Sequence, residues 1–366
     1  MPDLQREELP VEKTRIMIML PVMSAGGAER VTLNLLKGLP RDEFEIFLLL
    51  IKEGGEFLSK VPADINIFIL NKNRLRYAIP WIINLVWKHR IQVVLPTLGG
   101  FSMQILMLKS FFPPYTRVMI REVIAHSGLI EQEPKRKHVL RRNKSLYPQA
   151  DTIISLCRYM ADDLEEMLGM SLKNQQIIYN PVDIEGIQAK AGGSDPFPAE
   201  GLHIVAAGRL EPQKGFKRLI EAFPALLERK SDAHLWIIGE GGLRTELERL
   251  AEESGAGERI HLPGYQDNPY QWIGHADLFV LSSLYEGLPN ILLEAIACSC
   301  PVISLKHPGG ALEILELTGQ PERYVEELTW EDWWFDRPGT EVLDKLWQNF
   351  AADKIIAEYS RVLKGA

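Results

Sequence analysis

The sequence predicts an α/β chain in which a parallel sheet wound with helices occurs twice. Three observations lead there. Short, almost wholly apolar runs alternate with stretches of helical period, the pattern of strands buried on both faces and joined by crossover helices. The alternation stops at a Gly-, Pro- and Ala-rich stretch, residues 190–201 (KAGGSDPFPAEG), and then resumes. The chain has 366 residues, which suits two domains of about 150 residues each.

Each element follows from its residues. In the first half strands are expected at 15–20, 45–51, 65–70, 92–95, 117–123, 152–155 and 176–179, with helices at 28–39, 80–88, 101–110 and 158–168 between them. After the linker, strands are expected at 203–207, 235–238, 260–262, 278–281 and 301–305, and helices at 216–229, 243–253 and 290–297. Residues 322–341 are acidic and carry Trp330, Trp333, Trp334 and Phe335 without a clean period, and 342–363 reads as one amphipathic helix. The expected domains are 1–185, 186–340 and a C-terminal helix, 341–366, returning to the first domain.

Composition narrows the function. Net charge is −8, but residues 1–190 carry +4 and residues 191–366 carry −12. That balance argues against nucleic-acid binding, which calls for a strongly basic domain. Cys157, Cys298 and Cys300 form neither CxxC nor a zinc spacing, which points to a reducing compartment and no structural metal. The polar N-terminus lacks signal-peptide order. The longest uncharged run, 91–108, is broken by Pro96, Gly99 and Gly100, so it reads as strand, turn and helix and not as a membrane span.

Two such halves suit a nucleotide ligand, because strand C-termini and helix N-termini converge. Neither GxGxxG after the first strand nor GxxxxGK[ST] is present, which disfavours a dehydrogenase or P-loop enzyme. Gly26 and Gly27 precede a helix and either admit an anion to backbone amides or form a plain tight turn. Arg209 and Lys214, in GRLEPQKG at 208–215, stand just past a strand and can neutralise a diphosphate. Gly239 and Gly264 end further strands. The strongest element is SLYEGLPNILLEA at 283–295, where Glu286 and Glu294 flank a helix start at Leu288, Pro289 and Asn290. Two carboxylates there can accept hydroxyls from two parts of one ligand, with an anion held between them by the helix N-terminus. A sugar–diphosphate–nucleoside has that layout.

At these residues the chain resembles the GT-B retaining glycosyltransferases of family four. The resemblance rests on AGGAERV at 25–31, IIYNPVD at 177–183, GRLEPQKGF at 208–216, IIGEGG at 237–242, LPGY at 262–265 and SLYEGLPNILLEAIACSCPVI at 283–303. It implies two Rossmann-like domains facing across a cleft, with a nucleotide-sugar donor on the second and a glycan, lipid-linked or small-molecule acceptor on the first. It also implies no cofactor and no metal, since Arg209 and Lys214 would bind the donor diphosphate. Glu286 would bind donor-sugar hydroxyls and Glu294 the ribose. Gly26, Gly27, Gly208, Gly239, Gly264 and the amides near Leu288–Asn290 would line the donor site.

Many relatives place a histidine just after a first-domain strand. Here Arg121-Glu122 ends that strand and His126 follows, so either Glu122 or His126 is expected at the reaction centre. A sugar-nucleotide epimerase, or a non-catalytic binder of sugar nucleotides or glycans, is the alternative. The expected setting is polysaccharide biosynthesis in the cytoplasm, peripheral on the inner face of the membrane. Lys135, Arg136, Lys137, Arg141 and Arg142, within an acid-free stretch, are candidates for contact with anionic lipid, aided by Val139, Leu140, Leu146 and Tyr147.

Overall fold

A computed structural model describes residues 13–24, 26–198 and 200–365. The N-terminal segment read for targeting order, Ala25 of the first glycine motif and Ala199 of the linker lie outside the described residues. The strands are β1 (Thr14–Leu20), β2 (Phe44–Leu50), β3 (Asn66–Ile69), β4 (Val93–Pro96), β5 (Arg117–Glu122), β6 (Thr152–Ser155), β7 (Gln175–Ile177), β8 (Leu202–Ala207), β9 (Ala233–Ile238), β10 (Ile260–Gly264), β11 (Leu278–Leu281), β12 (Val302–Leu305) and β13 (Tyr324–Val325). The helices are α1 (Gly27–Gly38), α2 (Leu75–Lys88), α3 (Gly99–Leu106), α4 (His126–Gln132), α5 (Arg136–Asn143), α6 (Arg158–Leu168), α7 (Ile184–Ala191), α8 (Phe216–Leu227), α9 (Arg244–Glu253), α10 (Pro269–His275), α11 (Asn290–Ala297), α12 (Ala311–Thr318), α13 (Thr340–Phe350) and α14 (Ala352–Lys364).

Among the described residues the strands form one sheet in the order β3-β2-β1-β4-β5-β6-β7 and another in the order β10-β9-β8-β11-β12-β13. The pairings β1–β2, β1–β4, β8–β9 and β11–β12 are parallel, as apolar strands linked by crossover helices require. Contacts group the chain into two compact units. One takes the residues up to Arg121, Leu146–Ile153 and the residues from Ile356 on; the other takes Glu122–Ser145 and Ile154–Ile355. This grouping cuts the chain at points other than residues 185 and 340.

In the first unit β1 and β2 are buried along most of their length. The last turns of α14 belong to that core. Tyr359 and Leu363 are fully buried, Arg117 Nη1 donates to Val362 O at 3.4 Å, and Ser360 Oγ donates to Glu43 Oε2 at 2.6 Å.

In the second unit, residue alternation along the sheet divides the core in two. Val205, Trp236, Phe279 and Val302 pack on one face with α11 and α13, while Ile204, Leu235, Val280 and Ile303 pack on the other with α8. The acidic aromatic tail belongs to the second face. Trp330 and Trp334 are almost wholly buried there against Phe223, and Trp330 Nε1 donates to Ala222 O at 2.9 Å. Arg323 straps the tail down, donating to Val302 O at 3.2 Å, Trp334 O at 3.1 Å and Asp336 O at 2.9 Å.

Several sequence expectations shift. The helix expected from residue 80 starts at Leu75 and carries exposed Pro80 inside it. The single helix expected over 342–363 is two, broken at Ala351, whose extended ψ of 138° accompanies a bridge to Val182. Val182 N–H donates to Phe350 O at 2.9 Å, so the break is held by a strand-like contact. Of the residues expected to lend α5 shallow apolar contact, only Val139 is exposed: Leu140 and Tyr147 are core residues.

Candidate active site

The strands of the second unit end along one rim of their sheet. Gly208, Gly239 and Gly264 stand at the ends of β8, β9 and β10, all with positive φ. Gly239 has φ +142°, and a Cβ there would lie 2.0 Å from Gly208 O. Only glycine permits so close an approach of two backbone segments. The loops beyond are zipped together. Leu210 N–H donates to Glu240 O and Leu243 N–H to Leu210 O, each at 2.9 Å.

Lys214 closes a 3-10 turn, Pro212–Lys214, and is followed by Gly215 at φ +62°. A Cβ on Gly215 would sit 2.0 Å from Ser282 O. Ser282 Oγ donates to Lys214 O at 2.9 Å, Leu284 N–H to Gln213 O at 2.7 Å, and Arg218 Nε to Ser282 O at 2.7 Å. These bonds fix the loop carrying Lys214 against the loop carrying Glu286. Lys214 Nζ stands 2.7 Å from Glu286 Oε1, and Ser283 Oγ donates to the same oxygen at 2.6 Å. Burial pushes the Glu286 carboxyl up. The charge and hydrogen bond of Lys214, with the Ser283 hydroxyl, outweigh it and hold the group below the usual carboxylate range.

The other expected residues fall into place around this pair, or away from it. Arg209 is exposed and paired with Glu211 Oε1 at 3.1 Å, so it does not join Lys214 and Glu286. Leu288 and Pro289 are buried at the start of α11, and Asn290 Oδ1 accepts from Asn180 Nδ2 at 2.7 Å. Glu294 is buried about one turn into α11. Gly26 and Gly27 belong to the first unit and open α1, where Glu29 accepts the Ser24 hydroxyl at 2.9 Å.

Glu122 and His126 fall in the second unit beside the Glu286 loop. Ala125 N–H donates to Glu286 O at 3.1 Å, and a Cβ on Gly287 would lie 2.3 Å from Val123 O. His126 Nε2 stands 3.1 Å from Glu122 Oε2, while Asp163 accepts the His126 backbone N–H at 2.6 Å. Burial pushes the His126 imidazole down, but the Glu122 hydrogen bond and charge outweigh it and raise its pKa. The two side chains that the sequence left as alternatives are therefore one hydrogen-bonded pair.

Four residues here escaped the sequence reading: Gln213, Arg218, Ser283 and His307. Gln213 Nε2 donates to Tyr285 O at 3.1 Å. His307 is buried beside Glu286, with Nδ1 2.7 Å from Leu305 O and no partner for Nε2 among the described residues. Its one sequence signal is its place in His307-Pro308-Gly309-Gly310, directly past an apolar strand.

Two family models match the chain. Glycosyltransferase Family 4 matches residues 25–185, and Glycosyl transferases group 1 matches residues 193–327, the stretch holding Lys214, Glu286 and Glu294. The chain belongs to the GT-B glycosyltransferases of family four.

The relatives of this glycosyltransferase agree with that placement. An N-acetylgalactosamine-N,N'-diacetylbacillosaminyl-diphospho-undecaprenol 4-alpha-N-acetylgalactosaminyltransferase of Campylobacter jejuni is 36% identical over 169 residues, which is 46% of this chain and 45% of that protein. The chain thus spans about half the length of the curated relatives it matches. Among solved structures, Anabaena HepE in complex with UDP and glucose superimposes with TM-score 0.77 at 16% identity, covering 96% of this chain and all of that one. Sucrose-phosphate synthase of Thermosynechococcus elongatus gives 0.78 at 16% identity, covering 96% and 99%. At such identity these structures speak for the fold.

Proposed function

We propose that this glycosyltransferase moves a hexose-type sugar from a nucleoside-diphosphate sugar to a glycan or lipid-linked acceptor, with retention and without a metal. The buried Lys214–Glu286 pair on the glycine-ended rim carries the reading. A rim of strand ends and a helix N-terminus favours an anion, and Lys214 supplies the positive charge a departing diphosphate needs. Arg209 is exposed and free to leave Glu211 for the diphosphate, since a surface pair is held by no more than about 1 kcal/mol. Glu286 accepts donor-sugar hydroxyls and Glu294 the ribose. Retention follows if the leaving diphosphate takes the acceptor proton on the face it departs from. His126, whose pKa Glu122 raises, then donates a hydrogen bond to the developing negative charge.

The Campylobacter relative is named for transfer to a diphospho-undecaprenol-linked saccharide, which supports a lipid-linked acceptor here. Peripheral contact on the cytoplasmic face through Lys135, Arg136, Lys137, Arg141 and Arg142 belongs to the same reading. Among the described residues no helix is long and apolar enough to cross a membrane.

The test is calorimetry and transfer assays on Glu286→Ala and Glu294→Ala. Glu294→Ala weakens binding of free nucleoside diphosphate, and Glu286→Ala chiefly impairs steps that need the sugar. Equal loss of nucleoside-diphosphate affinity in both would overturn the assignment. Activity abolished by EDTA and restored by magnesium would overturn the metal-free step, and an inverted product anomer would overturn retention.

A further inference from the structure

The first unit carries a basic, aromatic face outside the site described above. From Ile65 to Arg121, a run of 57 residues, the chain has eight Lys and Arg and no Asp or Glu. Within that run α2 turns Ala78, Ile82 and Val86 inward and leaves Tyr77, Trp81 and Trp87 about half exposed. Next to it, Met107 and Phe111 are each 61% exposed, and Trp87 Nε1 donates to the backbone Phe111 O at 2.9 Å, so the two residues are neighbours. Cations stand over the rings: Lys72 Nζ is 4.2 Å from the Trp81 ring centre, and Arg76 Cζ is 4.8 Å from that of Tyr77.

Three residues beyond Trp87 and four beyond Phe111, Arg90 and Tyr115 enter the lining of a cavity of about 410 Å³. Arg15, Arg117 and Lys364 also line it, and no carboxylate does. Arg15 and Lys364 are partly neutralised from outside by Glu45 at 2.9 Å and Glu43 at 2.6 Å. Arg117 is turned to backbone carbonyls at 362 and 363. The Arg90 guanidinium has no hydrogen bond or ion pair among the described residues, and its backbone sits at φ +49°. The cavity lies at the first residues of β1 and β5 and just before β4, the end of the sheet opposite to the one where α/β ligands bind.

We propose that this face docks on an anionic lipid bilayer, with Trp81, Trp87 and Phe111 in the interfacial zone and a lipid phosphate seated against Arg90 in the basic cavity. Half-exposed Trp and Tyr, amphipathic and rimmed by Lys and Arg, match the headgroup layer better than they match water. The acid-free run supplies charge complementarity to the lipid phosphates. The inference concerns attachment to the bilayer alone, and its evidence is independent of the lipid-linked acceptor reading. The apolar contact is placed on α2 and the Phe111 turn, since Leu140 and Tyr147, expected from the sequence to supply it, are buried.

The test is co-sedimentation of the full chain with vesicles of phosphatidylglycerol and phosphatidylcholine, and with phosphatidylcholine alone, at low and high salt. Binding to the anionic vesicles, reversed by salt, is expected, and none to the zwitterionic ones. Each unit of charge changed weakens anionic-vesicle binding about fivefold, so Arg90→Glu, a change of two units, weakens it about twenty-fivefold. Trp81→Ser with Phe111→Ser weakens it at least tenfold and abolishes a blue shift of tryptophan emission. Both substitutions lie on exposed side chains, and circular dichroism checks that the variants fold. Binding that persists in both variants would overturn the proposal, as would loss only on changing Lys135, Arg136, Arg141 and Arg142 to Ser. An intact protein that ignores anionic vesicles at low salt would also overturn it. Nucleoside-diphosphate affinity, measured in parallel, is unchanged in these variants, so failure here is distinguishable from failure of the transferase reading.

Discussion

Replacing Lys214 by methionine should reverse the sign of the pH dependence at Glu286. The Glu286 side chain is 9% exposed and that of Lys214 18%, with 2.7 Å between charged atoms. Removing one partner of a buried pair costs about 3–5 kcal/mol, because the other charge stays buried without compensation. The lower end applies here, since Lys214 is partly wetted and the Ser283 hydroxyl remains at 2.6 Å. In the native protein the Glu286 pKa lies below its unfolded value. Its stabilising contribution is therefore present above about pH 4.3 and is lost as pH falls through the folded value. Without Lys214, burial is opposed only by the weaker Ser283 hydrogen bond and the charge of His307, and the carboxyl pKa rises above its unfolded value. Stability from this group then increases as pH falls through that raised pKa. Urea unfolding of the native protein, Lys214→Met, Glu286→Gln and the double variant between pH 4 and 8 reads both effects. The double variant should regain most of the loss, because no charge is left buried. A cost below about 0.5 kcal/mol for Lys214→Met, or an unchanged slope with pH, would refute the reasoning.

Other perturbations follow from the same geometry. Gly239→Ala should cost about 2 kcal/mol or more and weaken nucleotide binding, because its Cβ meets Gly208 O at 2.0 Å, whereas Gly242→Ala, with nothing within 4 Å, should be near neutral in urea unfolding. Trp334→Ala should cost about 3–5 kcal/mol, since the ring is 1% exposed; a small loss of melting temperature would place the tail outside the core. Burial, then the charges of neighbours including Arg259, pushes the His234 pKa down, and burial with His234 and His203 takes that of His261 to about 4. The unfolded chain takes these protons first, so stability should fall as pH drops from about 6.5 towards 4, and His261→Gln should flatten that slope in thermal melts.

Much of this was legible in the sequence. Strands such as β6 and β11 matched their apolar runs to the residue, because a strand buried on both faces admits little else. The helix at 290–297 was equally plain, with Pro289 ahead of an apolar stripe. Long-range partners set the limit. Arg218 in Phe216-Lys217-Arg218 looks like part of a solvated basic helix, and nothing local says that its guanidinium reaches carbonyls 64 and 65 residues away. Trp330 and Trp334 fit no period because they fill the core from a left-handed residue and a 3-10 turn. Pro80 read as a helix start because proline is favoured there, whereas the exposed face of α2 tolerates it inside.

The last turns of α14 set an order of events during synthesis. Residues 356–363 supply Ile356, Tyr359 and Leu363 to the core of the unit that otherwise ends at Ile153. Nascent chains fold their N-terminal parts first, yet this unit has to wait, with part of its apolar interior uncovered, until about two hundred further residues have emerged. During that interval the half-built unit is a client for chaperones, and removal of residues 356–365 should leave it permanently in that condition.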